Sequence, residues 1–451
     1  MNSAAVLLLM LLVVLSPLPL GSNREWSWTL CALLAGGILA AWALVRGWRP
    51  GEVTRFVHPL IVGLFVVACG WVIVQTLGGT PLTWQHPLWA EAGNALGRPL
   101  DGRIGLSPDD GWTALMRLAS YAAVFSLALL LARERTRARA MLGWIVFSGL
   151  LYAVFALAAY WGDVELRFLF PEGDTARAAH GTFVNRNHFA TRQGLALLCA
   201  IGWLHLRMSR PPSAPYVLPK SRESRVEDIV LSAWLPLTVI LLMTAALVLT
   251  HSRGGFLATL AATAVLLFLL DSRGSSRRRL SKGIVAAALL VSGLAFYLTG
   301  EVLLDRFDRT RITNEERVVV YDNVQRGIAE NPLLGFGYGS FADSFRLYDR
   351  VEAPVHYDRA HNTWLEHLFE LGVPAALALF AAIGGLALTC WQGVRRRHRD
   401  WVYPALGAAA SVLVGIHALF DFSLQIPAVA ILYACILGIG CAQAWSSQPS
   451  V

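Results

Sequence analysis

Charged residues are scarce in this sequence: Asp, Glu, Lys and Arg make up 15% of its 451 residues, whereas hydrophobic residues make up 55%. A soluble domain carries about 25% charged residues, so this composition argues against a soluble protein. The scarcity leaves long apolar runs such as LSAWLPLTVILLMTAALVL and VPAALALFAAIGGLAL. Each approaches the roughly 20 residues that cross a bilayer. The sequence therefore predicts an all-α, polytopic membrane protein.

Cysteine is also rare, and the six cysteines all fall inside apolar runs. None has the spacing of metal ligands or of a disulfide framework. The sequence contains no P-loop, no G-x-S-x-G elbow and no H-E-x-x-H motif. A D-x-D metal pair is absent from the outer loops predicted below. The adjacent Asp109 and Asp110 could bind a metal, but aspartate also suits the capping of the helix that follows them, and capping is the favoured interpretation. We therefore expect no metal and no other cofactor.

About twelve transmembrane spans are predicted, and a large, partly helical loop separates the ninth from the tenth. The spans lie near residues 4–20, 27–45, 58–77, 113–132, 140–161, 188–206, 229–249, 256–270, 283–299, 372–391, 402–419 and 427–445. The chain thus divides into residues 1–299 with spans 1–9, the 300–371 loop, and residues 372–451 with spans 10–12. The start of the chain lacks a basic n-region and an A-x-A site, so it is interpreted as a first span.

Arginine placement predicts the orientation of these spans. Clusters such as RERTRAR, RGSSRRRLSK and RRRHR follow the even-numbered spans, while the loops on the other side hold few basic residues. Because cytoplasmic loops carry excess Lys and Arg, both termini are predicted to be cytoplasmic and the 300–371 loop to lie outside. In a Gram-negative bacterium, outside is the periplasm. The same rule accounts for the net charge of +8. We therefore expect membrane lipids as partners and no nucleic acid.

Several polar residues gather on the predicted outer face near glycines. They are Arg253 in HSRGGF, Arg317 opening a helix of the loop, Arg359, His361 and Asn362 before span 10, and Arg186, His188 and Arg192 at the head of span 6. A lone arginine at a span end usually snorkels to lipid headgroups. Several arginines on one face make a shared anionic ligand competitive, because guanidinium groups suit phosphate. Arg192 lies within its span, where a charge is a functional candidate.

His361 is the best candidate for a general base. A free imidazole titrates near neutral pH, which suits proton abstraction. Helical spacing from residue 361 reaches Trp364, Leu365 and Leu368, so His361 is expected at the upper edge of an apolar face. A structural histidine is the alternative. His367 is a weaker candidate because it lies off this face.

These residues carry a family resemblance. His361, Asn362, nine further residues and Gly372 match the H-[NSQ]-x9-G motif of the bacterial O-antigen ligase and polysaccharide polymerase family, which the chain resembles from about residue 100 to 445. HSRGGF, GTFVNRNHFA, GLSPDDGWTALMRL and ERVVVYDNVQRGIAENPLLGFGYGSF also resemble family segments.

The resemblance implies a metal-independent glycosyl transfer at the periplasmic face of the inner membrane, and our hypothesis is that this transfer inverts the anomeric configuration. The donor would be a glycan on undecaprenyl diphosphate, and the acceptor a hydroxyl of lipid A core for a ligase or of another glycan for a polymerase. His361 matches the proposed base of the family, and Arg253 and Arg317 match the arginines that hold the diphosphate. Arg186, His188, Arg192, Arg359 and Asn362 are expected to assist in substrate binding. A transporter or flippase for lipid-linked sugars is the alternative from another class, although no inverted repeat of the kind common in transporters is visible.

Overall fold

The computed structural model describes residues 2–47, 51–162, 178–208, 222–271, 304–348 and 357–445, and these ranges contain helices and no strands. The predicted ninth span, 283–299, lies outside the described residues. The first nine helices are α1 (Asn2–Leu15), α2 (Glu25–Arg46), α3 (Pro59–Thr76), α4 (Leu88–Leu96), α5 (Pro108–Leu131), α6 (Arg135–Trp161), α7 (Arg186–Met208), α8 (Arg222–Leu249) and α9 (Arg253–Asp271). They are followed by α10 (Leu304–Glu330), α11 (Phe341–Ser344), α12 (Thr363–Leu371), α13 (Val373–Arg396), α14 (Val402–His417) and α15 (Pro427–Gln443).

Six of the described helices, α2, α3, α5, α6, α9 and α13, are long and apolar enough to cross a membrane. Shorter apolar helices are α1, the 233–249 part of α8, α14 and α15. The all-helical, apolar character predicted from composition is therefore confirmed in the described ranges. The count of twelve spans remains a prediction.

The helices form one bundle whose two ends differ in charge. At one end, Arg133 Nη1 donates a hydrogen bond to the Ala442 carbonyl (3.1 Å), and Gln443 Nε2 donates one to the Ala132 carbonyl (2.6 Å). Nearby, Arg135 pairs with Asp400 at 2.8 Å. This end carries RERTRAR and RRRHR, two of the basic segments predicted to face the cytoplasm. The helix connections that hold the candidate site lie at the opposite end.

Helix α7, which covers the predicted sixth span, is enclosed by other helices over most of its length. Nearly every residue from His188 to His205 is buried, because α7 packs against α6, α8, α9 and α14. This position explains why α7 tolerates Arg192 and Gln193 at a depth where lipid would otherwise surround them. The first turn of α7 thus enters the centre of the protein at the end opposite the basic segments.

The described part of the predicted loop forms its own small core against the bundle. Phe336 stacks on Phe369 of α12 with ring centroids 4.4 Å apart, and Val324 of α10 is fully buried beside them. Gly372, the glycine that ends the motif, has φ +74° and separates α12 from α13. A Cβ at this position would lie 2.5 Å from the Leu333 carbonyl oxygen. Glycine is therefore required here both for its backbone angle and for this close approach.

Two expected boundaries differ from the structure. Arg317 was predicted to open the loop helix, but α10 begins at Leu304 and Arg317 lies in its middle. The first helix ends at Leu15 rather than near residue 20, because Pro17 and Pro19 follow it and proline does not continue a helix.

Candidate active site

The start of α12 is fixed by hydrogen bonds to the connection between α14 and α15. The Asn362 side chain accepts a hydrogen bond from the Leu365 backbone N–H at 3.1 Å and so caps the helix. Thr363 donates its backbone N–H to the Ala418 carbonyl (2.9 Å) and its hydroxyl to the Asp421 carbonyl (2.9 Å). These bonds join two segments that are distant in sequence and set the position of His361 just before the helix.

His361 faces a buried carboxylate. Its Nδ1 lies 3.6 Å from Oδ1 of Asp421, and the His361 side chain is 36% exposed while that of Asp421 is 1% exposed. The backbone of His361 has φ +51°, which is uncommon for a non-glycine residue. His361 therefore presents one ring nitrogen to Asp421 while its ring remains accessible from outside the bundle.

Asp421 is shared by a second histidine. His188 Nε2, from the first turn of α7, lies 3.7 Å from the same Oδ1, and the Phe422 backbone N–H donates a hydrogen bond to it at 2.8 Å. Burial on its own would raise the pKa of the Asp421 carboxyl, but the interactions with His188 and His361 hold that pKa well below its usual range. The carboxylate is therefore the stable form of Asp421 in the folded protein.

A third histidine borders this cluster. His417, the last residue of α14, has Nδ1 at 3.2 Å from the Ser423 hydroxyl, and that hydroxyl accepts a hydrogen bond from Thr191 of α7 at 3.0 Å. The rings of His188 and His361 pack against Phe422 with centroids at 4.7 and 5.1 Å. Three imidazoles, from α7, α14 and the segment before α12, thus converge with one carboxylate from the connection between α14 and α15.

The two arginines matched to the family lie on elements that border this cluster. Arg253 begins α9, and a Cβ built on the adjacent Gly254 would lie 3.9 Å from His417 Nε2. Arg317 lies one helical turn before Tyr321 on α10, and the Tyr321 hydroxyl donates a hydrogen bond to the His361 carbonyl at 3.1 Å. The helix turn of Arg253 therefore lies beside His417. The helix turn of Arg317 lies beside the backbone of His361.

Arg359 also lies near Phe422. Its Nη1 pairs with Oε1 of the fully buried Glu366 at 3.1 Å, and its guanidinium carbon lies 5.9 Å from the centre of the Phe422 ring. Glu366 also accepts hydrogen bonds from Gln425 Nε2 and from the Ala360 backbone N–H, both at 3.0 Å. The ion pair therefore ties the residue two positions before His361 to α12.

Three predicted substrate-binding residues are placed differently from the rest. Arg186 is the first residue of α7 and is half-buried. Arg192 is directed at α6, where Nη2 donates to the Ser148 hydroxyl at 2.6 Å and the guanidinium lies over Tyr152 at 4.4 Å. Asn362 uses its side chain as the helix cap. The structure does not bring these three side chains onto Asp421, and their role in substrate binding stays a prediction.

A cavity of about 450 Å³ opens beside the cluster. Its body is lined by apolar residues of α3, α5, α13, α14 and α15, and its polar end by Arg117, Tyr338, Arg359, His367, Glu370 and Gln425. Ligand pockets of about 300–1,000 Å³ that are mostly apolar with a few polar groups at one end are typical of small-molecule sites. Arg359 belongs both to this cavity and to the Phe422 contact, so the polar end of the cavity adjoins the histidine cluster.

Burial sets the protonation of two side chains at this polar end. It lowers the pKa of His367 to about 4, with Arg359 adding to the effect. It raises the pKa of Glu370, and the neighbouring Glu366 raises it further. The side chain of His367 was expected to face away from the site, whereas it lines the cavity and its Nε2 lies 3.3 Å from the Tyr338 hydroxyl.

Asp421, His417 and Glu366 were missed by the sequence interpretation. The signal for Asp421 was present, since a carboxylate inside the apolar stretch HALFDFSLQIP is unusual at a span end. In the described ranges, no group of three or more His, Cys, Asp or Glu side chains is arranged to hold a metal ion. The expectation of metal-independent chemistry remains a prediction.

Part of the chain matches a known protein family. Residues 238–380 match the family model described as O-Antigen ligase, a range that includes Arg253, Arg317 and His361. No curated protein matches the chain. The match supports an O-antigen ligase-like family, as the resemblance predicted. It implies a ligase- or polymerase-type glycosyltransferase role, and together with the apolar helices it indicates a multi-pass membrane protein.

Proposed function

We propose that this protein transfers a glycan from undecaprenyl diphosphate to a hydroxyl acceptor at the periplasmic face of the bacterial inner membrane, as an O-antigen ligase-like enzyme. The observation that carries the proposal is the contact between His361 and the buried Asp421 carboxylate. A carboxylate behind an imidazole fixes its tautomer and stabilises the imidazolium that forms during proton transfer. With Nδ1–H directed at Asp421, Nε2 is left to accept a proton.

The reaction is a displacement with inversion at the anomeric carbon. His361 Nε2 takes the proton of the acceptor hydroxyl while the electron pair of that oxygen forms the new bond to the anomeric carbon. The bond from this carbon to the diphosphate oxygen breaks, and undecaprenyl diphosphate leaves with the electron pair. Because the leaving group gains negative charge, cations placed beside it lower the barrier.

Arg253 and Arg317 are assigned to that leaving group. The N-terminus of α9 adjoins His417, and a helix N-terminus with its free N–H groups also favours an anion. Arg317 shares a face of α10 with Tyr321, which is bonded to the His361 segment. The proximity of both elements to His361 supports a diphosphate lying between base and arginines.

The apolar cavity supports a lipid-linked donor over a free nucleotide sugar. Its apolar body extends through the bundle and its polar end adjoins the histidine cluster through Arg359. A hydrocarbon chain in the body would bring the attached diphosphate towards that end. Burying apolar chain surface stabilises binding by about 25 cal/mol per Å².

The test is glycan transfer by purified protein in lipid nanodiscs, with a lipid-linked glycan and a lipid A core acceptor. His361→Gln and Asp421→Asn are each expected to lower kcat by about 10²–10⁴-fold, the range typical of a lost general base or of its orienting group. Arg253→Gln and Arg317→Gln are expected to reduce turnover as well. Asp322→Asn, which removes an exposed carboxylate of α10, is the matched control. Normal transfer by the His361 variant would reject the assigned base.

Three further measurements separate the finer alternatives. Activity should persist in EDTA, and loss restored by Mg²⁺ or Mn²⁺ would contradict the arginine-based account.

Elongation of lipid-linked repeats without transfer to lipid A core would make the protein a polymerase, and translocation without a new glycosidic bond would make it a transporter. In a variant without the six native cysteines, His361→Cys should react with membrane-impermeant reagents from the periplasm, and labelling from the cytosol only would overturn the orientation.

A further inference from the structure

Two histidines approach one oxygen of one buried carboxylate. His188 Nε2 and His361 Nδ1 lie 3.7 and 3.6 Å from the same Oδ1 of Asp421. Oδ2 of Asp421, His188 Nε2 and His361 Nδ1 are buried atoms without a closer hydrogen-bond partner among the described residues. Oδ1 therefore serves two imidazoles in addition to the Phe422 backbone N–H, which donates to it at 2.8 Å.

This sharing has a consequence for His361. A carboxylate stabilises a protonated imidazole, and the stabilisation weakens when a second donor draws on the same oxygen. A positive charge on His188 would also oppose one on His361, because both rings pack on Phe422. The imidazoles of His188 and His361 therefore compete for the Asp421 carboxylate.

We propose that His188 is a positioning residue that shares the Asp421 carboxylate and so sets the pH at which His361 accepts the proton of the acceptor hydroxyl. This rests on the proposed function, since it assigns a role within the same reaction. His188 itself contacts neither donor nor acceptor in this proposal. Its action passes through Asp421.

The other charged and titratable groups around the carboxylate come from every element packed on it. They are His417 at the end of α14, Tyr321 and Arg317 on α10, the α9 turn with Arg253, and Arg359 across the Phe422 ring. Within the described ranges, only His188 and His361 have ring nitrogens within 4 Å of the Asp421 oxygens. The shift produced by changing His188 can therefore be distinguished from the effects of these more distant groups.

The test is the dependence of kcat on pH at saturating donor and acceptor. His188→Phe keeps a ring against Phe422 but removes the N–H, and we expect the acidic limb of the profile to move to higher pH by about 0.5–1 unit. His188→Gln restores an amide N–H of similar reach and is expected to return the limb towards its wild-type position. Asp421→Asn should move the limb to lower pH. His58→Asn, at the opposite end of the bundle, should leave it unchanged.

Each outcome decides the proposal. A limb that moves in Asp421→Asn but not in His188→Phe overturns the sharing and leaves the proposed function standing. If no limb of the pH profile depends on His361, both the sharing of Asp421 and the proposed function are overturned. If His188→Phe does not accumulate, His188→Ala is measured instead. Carbethoxylation of the partly exposed His361 as a function of pH, followed by mass spectrometry, gives the same shift without any assay of turnover.

Discussion

The hydroxyl of Tyr321 donates a hydrogen bond to the backbone carbonyl of His361 at 3.1 Å. This bond joins the long loop helix α10 to a residue whose backbone has φ +51°. A residue held in the left-handed region costs free energy unless its surroundings fix it. Tyr321, with the cap at Asn362 and the bonds of Thr363, supplies that fixation.

Tyr321→Phe is therefore expected to lower kcat several-fold with little change in the KM of the acceptor. The lost hydrogen bond contributes about 0.5–1.5 kcal/mol, and His361 becomes less well oriented towards Asp421. Steady-state kinetics in nanodiscs measure the effect. Tyr348→Phe, which removes a hydroxyl bonded to Glu330 elsewhere on the same loop region, is the control. Equal kinetics for both variants would mean that the bond does not position His361.

Arg359→Met is expected to destabilise the protein strongly, since it leaves Glu366 buried without its cation. Breaking one side of a buried pair costs about 3–5 kcal/mol. Thermal unfolding followed by intrinsic fluorescence measures the loss. Arg326→Met breaks an exposed pair with Asp322, and such pairs contribute about 0–1 kcal/mol. Similar melting temperatures for the two variants would show that Glu366 is satisfied by Gln425 and the backbone alone.

Helix positions and the charge difference between the two ends follow from local sequence. Apolar runs and arginine clusters predict them, because both depend on a helix and its flanking residues alone. The placement of Arg253, Arg317 and His361 on elements that border one cluster could be anticipated only in part, through their common predicted side and the resemblance of their motifs.

The partners of the site residues required the tertiary structure. Asp421 meets His361 because the hydrogen bonds of Thr363 join two segments far apart in the chain. His188 Nε2 lies 3.7 Å from Asp421 Oδ1, and the predicted role of His188 in substrate binding stays a prediction. Neither contact has a fixed spacing in sequence, so neither could be derived from helical periodicity.

Gly384→Phe tests the cavity as the site of the donor lipid. Gly384 lines the cavity, and a Cβ there meets nothing within 4 Å, so a larger side chain enters open space. The expected result is weaker donor binding, with its KM raised about tenfold, equivalent to about 1.4 kcal/mol, and unchanged KM for the acceptor. Gly36→Phe, on the outward face of α2 with equal free space, should leave both constants unchanged. An unaffected donor KM in Gly384→Phe would place the lipid elsewhere.

The polar end of the cavity should give stability a composite dependence on pH. His367 has its pKa lowered to about 4 by burial, whereas an unfolded histidine titrates near 6.5. Between these values the unfolded chain binds more protons, so the His367 contribution is complete above about pH 6.5 and is lost by about 1.4 kcal/mol per unit as pH falls towards 4. The contribution of Glu370 to stability changes with pH in the opposite direction, because burial and Glu366 raise the pKa of its carboxyl group. Its contribution therefore decreases as pH rises above the unfolded value.

The two slopes can be separated by single variants whose melting temperatures are followed against pH. His367→Gln should lose less stability than wild type on acidification below about pH 6.5. Glu370→Gln should lose more, because the opposing contribution of the raised carboxyl is gone. Slopes are compared rather than absolute melting temperatures, since either change alters packing around Tyr338. Parallel curves of melting temperature against pH for wild type and both variants would contradict the protonation states that burial imposes at the polar end of the cavity.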